Sequence, residues 1–356
     1  MKVCVYAIAK NEEKFARRWL DSMSEADGIF VLDTGSADNT VALLKEGGAS
    51  VEQKVFTPFR FDRARNASLE MVPQDTDVCV CTDLDEVFRH GWRAGLERAF
   101  AGGAEQVYYR YTWDFLPSGA PGHTFWLNNA HARRGFVWKH PVHEVICTAD
   151  GRVPRSAFAP DVQLDHLADA GKSRAQYLPL LQLSVQEDPE DDRNAHYLGR
   201  EYLFYGRYDE AIAELLRHLS LKKAVWKDER AASMRYIARS FKFKGDRAQA
   251  EIWYLRAVAE APHLREPLVE TAQFYLEEKN WHGACFFALK ALAITRRSMS
   301  YISEPDAWGW APYDCLAVAL YYLGDKAGAL QNARLALRAA PDNRRLQKNL
   351  EMIKGG

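Results

Sequence analysis

The 356-residue sequence opens without a long apolar run. Its first apolar segment, Val3–Ala9, is too short for the core of a signal peptide or for a membrane span, and charged residues follow it from Lys10 to Glu13. The six cysteines include no CxxC spacing, so we expect reduced, structural thiols. A cytoplasmic protein with no membrane span is therefore expected.

Glycine is missing where a dinucleotide-binding enzyme would need it. The first strand-like run ends in Ala9-Lys10-Asn11-Glu12-Glu13, whereas a dinucleotide-binding turn uses glycines to bring backbone against a pyrophosphate. This disfavours a nicotinamide or flavin enzyme. A nucleotidyltransferase of related fold is disfavoured as well, because the sequence lacks the Gly-rich basic N-terminal loop of such enzymes.

The whole chain also lacks an excess of either sign of charge, since its formal net charge is -1. The distribution is uneven, however, because residues 215–256 contain eleven Lys or Arg and four acids, a local excess of +7. A solvated helix face is the simpler interpretation. The alternative is a surface for an anionic acceptor such as a glycan or DNA.

The length predicts two domains, and the hydrophobic pattern changes near residues 170 to 190. Apolar runs before that point predict strands of a largely parallel sheet, with helices between them. The expected strands are Val3–Ala9, Gly28–Leu32, Val51–Phe56, Val78–Thr82 and Gln106–Trp113, and the expected helices lie at about 12–26, 38–47 and 62–72. Residues 119–161 are expected to be irregular and functional.

The second half of the sequence repeats with a period that is typical of a pair of helices. Four alanines, Ala211, Ala250, Ala284 and Ala329, are spaced 39, 34 and 45 residues apart, which indicates a 34-residue unit with two insertions. Small residues at such positions let paired helices approach closely. The longest insertion, around Ser298–Pro312, is expected to protrude as a loop. We therefore expect an α/β domain over 1–172, a connecting helix or linker over 173–189, and about four repeats over 190–356, through which the chain could form a homodimer.

Acidic side chains follow two of the predicted strands. Asp33 ends the second strand, at the sheet edge where open α/β sheets bind ligands. Asp83, Asp85 and Glu86 follow the fourth strand, and three adjacent carboxylates repel one another unless a cation neutralises them. Mn²⁺ or Mg²⁺ suits such oxygen ligands and could stabilise a nucleoside diphosphate leaving group as a Lewis acid. Acidic residues at strand ends also serve as helix caps, so a D-x-D pattern alone is weak evidence for a metal site.

The order AIAKNEE, VLDTGSADNT, FDRARNASL and CTDLDE resembles the family 2 glycosyltransferases of the GT-A fold, and among them the members with tetratricopeptide repeats. The resemblance covers about residues 1–172 and 190–345. It implies nucleotide-sugar contacts and a metal site on the matching positions. The implied nucleotide-sugar residues are Asn11, Glu12, Asp33, Arg65, Asn66 and Asp83, and the implied metal ligands are Asp83 and Asp85. Thr34 stands where many members have a second acid, so the recognised base stays open.

The segment Trp138 to Glu144 also resembles this subgroup, which tends to show a Trp followed by Val-His-Glu. An inverting transfer needs one base for the acceptor proton. Glu144 is the first candidate, His143 the second and Asp114 the third, and a buried His-Glu pair that only holds the loop is the alternative. GT-A enzymes often supply a late histidine to the metal, which His166 would match, although a lone histidine more often has a structural role. Lys172 could reach the diphosphate.

The sequence thus predicts a metal-dependent inverting glycosyltransferase that uses a nucleotide-sugar, with a UDP-sugar favoured. A glycan, a peptide side chain and a modified DNA base all stay open as acceptors. Dense aromatic residues between Tyr108 and Trp138 would suit a sugar pocket or core packing equally. The alternative from another class is a tetratricopeptide-repeat scaffold whose nucleotide-sugar-binding domain is degenerate.

Overall fold

The computed structural model describes residues 1–168 and 177–355. The chain divides into two compact units, Met1–Ser184 and Val185–Gly356. The predicted linker over 173–189 lies partly outside the described residues, and its described part is largely helical, from Tyr177 to Glu187.

The first unit alternates strands and helices, as its apolar runs predict. In chain order its elements, with the helix that leads out of it, are β1 Val3–Ala9, α1 Glu13–Ser22, β2 Gly28–Asp33, α2 Thr40–Glu46, β3 Ser50–Gln53, α3 Phe61–Met71, β4 Val78–Cys81, β5 Glu86–Phe88, α4 Trp92–Ala101, β6 Gln106–Thr112, β7 Thr124–Ala132, β8 Phe136–Lys139, β9 Val145–Thr148, β10 Ser156–His166 and α5 Tyr177–Glu187. Strands β1 and β4 are buried almost throughout, which explains their continuous apolar sequence.

The main sheet has the strand order β3-β2-β1-β4-β7-β6-β10-β5 among the described residues. Strands β1, β2, β3 and β4 are parallel neighbours, so they all end at the same edge of the sheet. Strand β7 is antiparallel to both β4 and β6 and makes the sheet mixed. This is the α/β half of the predicted fold class.

The expectation of an irregular region over 119–161 is wrong. This region contains β7, β8, β9 and the first part of β10, and β7 lies in the middle of the main sheet. The sequence hides β7 because most of its residues are only half-buried and include Asn and His, so no apolar alternation marks it.

The second unit is helical. Its helices are α6 Asp192–Phe204, α7 Tyr208–Ser220, α8 Lys227–Phe243, α9 Arg247–Glu260, α10 Arg265–Glu277, α11 Trp281–Ala293, α12 Pro305–Trp308, α13 Ala311–Tyr322, α14 Lys326–Ala339 and α15 Arg344–Gly355. They pack as the pairs α6/α7, α8/α9, α10/α11 and α13/α14. The four predicted alanines fall on the second helix of each pair and are fully buried, which confirms the helical-repeat part of the fold. None of the described helices combines the length and the apolar composition needed to cross a membrane.

The insertion between α11 and α13 does not protrude, so that prediction is wrong. We call residues 298–308 the folded insertion, because Ile302 and Ser303 within it are buried. Tyr301 stacks on Tyr197 of α6 with ring centroids 5.8 Å apart, and the Trp308 indole N–H donates to Glu266 of α10 at 2.9 Å. Acidic and aromatic partners on α6, α8 and α10 therefore hold this segment against the first helices of three pairs.

Candidate functional site

The predicted site residues gather where parallel strands end. Ala9 at the end of β1 pairs with Asp33 at the end of β2, and Cys81 at the end of β4 pairs with Tyr6 of β1. The loops that follow these strands therefore leave the sheet at one edge. That edge is the expected ligand-binding position of an open α/β sheet.

Asp33 is fully buried and organises the loop after β2. Its carboxylate accepts hydrogen bonds from the backbone N–H groups of Gly35 and Ser36, both at 3.1 Å, and from the Ser36 hydroxyl. Gly35 has a φ of 110°, which side-chain-bearing residues rarely adopt. Asp33 thus has a structural role in this turn, and its contact with a nucleoside stays a prediction.

Asn11 joins the loop after β1 to the loop after β2. Its backbone N–H donates to the Ser36 hydroxyl at 2.8 Å, and its side-chain oxygen accepts from the Ala37 N–H at 2.8 Å. The buried residue Glu12 donates its backbone N–H to the Thr40 hydroxyl at 2.7 Å. These bonds fix the predicted nucleotide-binding loops relative to each other.

Arg65 of α3 connects the acids of the site. Its guanidinium donates to Asp83 at 3.0 Å and to the Glu144 carboxylate, and it lies over the Trp138 ring at 5.1 Å. The Arg65 side chain is buried, and so is most of Glu144, whose side chain is 11% exposed. Sequence reasoning grouped Arg65 with Asp83 and placed Glu144 elsewhere as the base, whereas the structure makes all three one cluster.

Asp85 pairs with His166 beside that cluster. Its carboxylate lies 3.6 Å from His166 Nε2, while His166 Nδ1–H donates to the Trp113 carbonyl at 2.8 Å. Burial alone would lower the pKa of His166, but the bonds to Asp85 and to the Trp113 carbonyl outweigh it and raise the pKa to about 9. The His166 ring also stacks on the Trp113 indole with centroids 4.5 Å apart.

Glu86 shows the crowding of negative charge at this strand end. It is buried and accepts hydrogen bonds from the Asp83 N–H at 2.8 Å and from the Tyr111 hydroxyl at 2.7 Å. Burial, followed by the charge of Asp83, raises the pKa of Glu86 to about 8, against the lowering effect of its hydrogen bonds. Adjacent acids thus oppose each other's ionisation, as the sequence pattern indicates.

The donor set suits a hard cation, since carboxylates and an imidazole are ligands that Mn²⁺ and Mg²⁺ accept. Asp85 and His166 already face each other, and Asp83 is turned towards Arg65. In the described residues, Asp83, Asp85 and His166 do not bring three ligand atoms within 4.8 Å of one another. The residue types therefore fit a metal site, but Asp83 would have to leave Arg65 to complete it.

Two other predicted residues make contacts within the unit. The Asn66 side-chain amide bonds both the carbonyl and the N–H of Trp138, each at 2.9 Å, and so fastens α3 to β8. The His143 backbone has a φ of 50°, and its ring lies against Tyr177 with centroids 5.8 Å apart. Lys172 lies outside the described residues.

Asp114 forms an acid–imidazole pair that sequence reasoning did not find. Its carboxylate accepts from His123 Nδ1–H at 2.7 Å and from the His123 backbone N–H at 2.7 Å. Asp114 follows Trp113 directly, and both side chains are nearly half-exposed. No local signal links residues nine positions apart across a loop, so His123 could not be identified from the sequence.

The basic excess over 215–256 is largely neutralised by ion pairs, most of which join different helices. The pairs are Arg217–Glu214, Arg230–Glu260, Arg235–Glu270, Arg239–Glu270, Lys242–Glu277, Lys244–Asp209 and Arg247–Glu277. The excess of Lys and Arg is therefore confined to this stretch of sequence, and acidic side chains from outside the stretch neutralise much of it in the folded protein. This favours the simpler interpretation of a solvated helix surface over an anion-binding face.

Comparisons with known proteins separate the two units. The sequence profile of glycosyl transferase family 2 matches residues 4–153. A search of curated proteins found no match. Among solved structures, the chain is similar to one from a functional characterisation of Pseudomonas aeruginosa pilF, with 12% identity, a TM-score of 0.39, and coverage of 50% of this chain and 72% of that one.

A thermophilic TPR protein of Thermus thermophilus matches with 17% identity and a TM-score of 0.37, over 50% of this chain and 89% of that one. Similarities this distant carry no functional information. The structure shows the helix pairs of the second unit and their buried alanines independently of these similarities. The first unit thus matches the profile of glycosyl transferase family 2 over residues 4–153, and a unit of paired helices follows it.

Proposed function

We propose that this protein transfers a sugar from a nucleotide-sugar, with a UDP-sugar favoured, to an acceptor hydroxyl with inversion at the anomeric carbon. The family match supports a nucleotide-sugar donor. The observation that carries the proposal is the meeting of Arg65 with Asp83 beside the Asp85–His166 pair, at the edge where the parallel strands end.

Asp83, Asp85 and His166 would hold Mn²⁺ or Mg²⁺. Such an ion acts as a Lewis acid on the diphosphate oxygens that gain charge as the bond to the sugar breaks. Arg65 would then gain a second partner beside Glu144, because its Nη2, which bonds Asp83, would be free to donate to a phosphate oxygen. Asp33, Asn11 and Glu12 would shape the nucleoside pocket through the loops that they order.

The acceptor hydroxyl must lose a proton as its oxygen attacks the anomeric carbon and the bond to the diphosphate breaks. The sequence favours Glu144 as this base, but its carboxylate faces the Arg65 guanidinium. We therefore assign Glu144 to positioning Arg65. The base that we favour is Asp114, because it is nearly half-exposed and is oriented by His123, and because Trp113 beside it touches His166.

The test is a panel of nucleotide-sugars, each incubated with the protein and Mn²⁺, followed by thermal melting and by assay of the released nucleotide. One donor should raise the melting temperature and release nucleotide slowly. Asp85→Asn should lose both effects while circular dichroism stays unchanged. Asp75→Asn is the matched control, since Asp75 is a surface residue that pairs with Lys2.

Full donor protection and release by the Asp85→Asn protein would discard the metal assignment. If no donor in the panel binds with or without metal, the result would contradict the enzyme proposal and favour a scaffold whose nucleotide-sugar-binding domain is degenerate. Product analysis of the anomeric configuration tests inversion separately, and a retained configuration would contradict the single-base scheme.

A further inference from the structure

Three ligand-type side chains meet at the start of the helical unit. Asp192 lies in the first turn of α6, His218 in the last turn of α7 and Glu229 in the first turn of α8. One ligand atom from each of them lies within 4.8 Å of the others. Residues far apart in the sequence thus converge because three helix ends meet.

The cluster is buried, which separates it from ordinary surface acids. His218 is completely buried, Glu229 is nearly so, and Asp192 is partly accessible. The Nε2 atom of His218 has no hydrogen-bond partner among the described residues. Glu229 Oε1 is 3.4 Å away, but it is not aligned for a hydrogen bond. A buried polar atom without a hydrogen bond lowers the stability of the folded protein, so the site favours a ligand that this nitrogen can bind.

The hydrogen bonds on the other side of the imidazole agree with a ligating Nε2. The Ser233 hydroxyl lies 2.9 Å from His218 Nδ1 and 2.7 Å from His196 Nδ1. Since Ser233 has one hydroxyl proton, it can donate to His196 while it accepts from His218 Nδ1–H. In that arrangement His218 carries a lone pair on Nε2, which lies 3.4 Å from Glu229 Oε1. Metal-bound histidines characteristically donate their other N–H in this way.

A neighbouring cation, Arg193, is directed elsewhere. Its guanidinium lies over the rings of Tyr197 and Tyr301, at 5.4 and 5.9 Å from their centroids. The Tyr301 hydroxyl donates to Glu229 Oε2, which leaves Oε1 facing His218. The folded insertion therefore orients the carboxylate from its far side.

We propose that Asp192, His218 and Glu229 bind a divalent cation of the zinc type. Two carboxylates and one imidazole suit Zn²⁺ and leave a fourth position for water. Such an ion would tie α6, α7 and α8 together and, through Glu229 and Tyr301, would stabilise the folded insertion. This site lies in the helical unit and does not depend on the proposed transferase function.

Co²⁺ is the probe, because tetrahedral Co²⁺ absorbs visible light whereas Zn²⁺ does not. The titration uses the full chain with Asp85→Asn, so that the acids of the first unit contribute as little as possible. We expect a visible band at one equivalent of Co²⁺, its displacement by Zn²⁺, and a higher melting temperature with Zn²⁺. His218→Gln should abolish all three, while His282→Gln, which changes an exposed histidine of the same unit, should keep them.

Ser233→Ala separates a ligand site from a plain buried network. It should keep the band but weaken Co²⁺ binding by about 10–100-fold, as expected for a partner that orients a ligand. If His218→Gln does not fold, Asp192→Asn replaces it, because Asp192 is partly accessible, and this variant should also lose the band. The absence of a band in the parent protein, or an equal band in the Asp192→Asn and His218→Gln proteins, would overturn the proposal.

Discussion

Arg65 and Glu144 form a buried ion pair although they lie 79 positions apart in the sequence. The same guanidinium also binds Asp83, so one cation serves two carboxylates. The Glu144 side of this bridge is enclosed, whereas the Asp83 side chain is 45% exposed. Glu144 therefore fixes Arg65 from behind, and Asp83 is the partner that a substrate could replace.

Glu144→Gln tests this positioning role. The amide keeps the shape of the side chain but loses its charge, so Arg65 should bind Asp83 more tightly and the donor less tightly. We expect the donor KM to rise about tenfold with kcat changed by less than about threefold, because a charged hydrogen bond contributes about 1.5–3 kcal/mol. Steady-state kinetics over a donor series measure both. A kcat loss beyond about 10²-fold at saturating donor would instead identify Glu144 as the base.

Asp114→Asn tests the proposed base. The substitution keeps a hydrogen-bond acceptor for His123 but removes the proton acceptor, so kcat should fall by about 10²–10⁴-fold with little change in donor affinity. Donor protection in thermal melting serves as the internal control for folding. Asp161→Asn, which changes another exposed acid of the same unit, should leave kcat unchanged. Unchanged kcat in Asp114→Asn would remove this residue from the mechanism.

Trp113→Ala tests the acceptor side of the site. The Trp113 side chain stacks on His166 and the residue is 49% exposed, so its exposed part is available to a sugar ring or another flat acceptor group. We expect the acceptor KM to rise about tenfold while donor binding stays unchanged, and Trp113→Phe should restore part of the loss. Phe158→Ala, which removes an exposed aromatic stacked on Tyr108, is the control. A loss of donor binding alone would contradict the assignment.

The sequence predicted the strands that are buried on both faces and missed those that are not. Strands β1 and β4 have continuous apolar runs because both faces are covered, whereas β7 carries half-buried polar residues and has no such mark. The repeats were predictable because their alanines must be small to let helices approach. The folded insertion was not, because its burial depends on partners such as Glu266 and Arg235 on distant helices.

The candidate site likewise contains residues that the sequence predicts and a contact that it does not. Strand ends placed Asp33, Asp83 and Asp85 at one edge of the sheet, since parallel strands end together. The Arg65–Glu144 pair depends on how the loop before β9 folds over α3, and no local pattern encodes that contact.

His131 should make the first unit sensitive to acid. It is buried, its Nδ1–H donates to the Ala132 carbonyl at 2.8 Å, and its Nε2 accepts from the Tyr6 hydroxyl at 2.7 Å. Burial lowers its pKa from 6.5 to about 4. Below pH 6.5 the unfolded chain therefore binds the proton more strongly than the folded one, so stability present above pH 6.5 is lost as the pH falls towards 4.

The loss amounts to at most about 3 kcal/mol, at ~1.4 kcal/mol per pKa unit. Urea unfolding at about pH 7.5 and about pH 4.5, on either side of the ordinary histidine pKa, measures it for the parent protein and for His131→Gln. The variant should be less stable at the higher pH and should lose less on acidification. Equal losses in both proteins would show that other groups carry the acid sensitivity.

Gly199→Ala should destabilise the helical unit although alanine is the better helix former. A Cβ on Gly199 of α6 would lie 2.5 Å from Leu215 Cγ and 3.2 Å from the Leu215 backbone nitrogen on α7. Overpacking of this kind costs about 1–3 kcal/mol, which exceeds the gain of about 1 kcal/mol from helix propensity. Leu215→Ala removes the side-chain part of the clash, so Gly199→Ala should become neutral or stabilising in that background. Unfolding free energies of the two single variants and the double variant measure the coupling, and an equal cost of Gly199→Ala in both backgrounds would place the effect within α6 and not at its contact with α7.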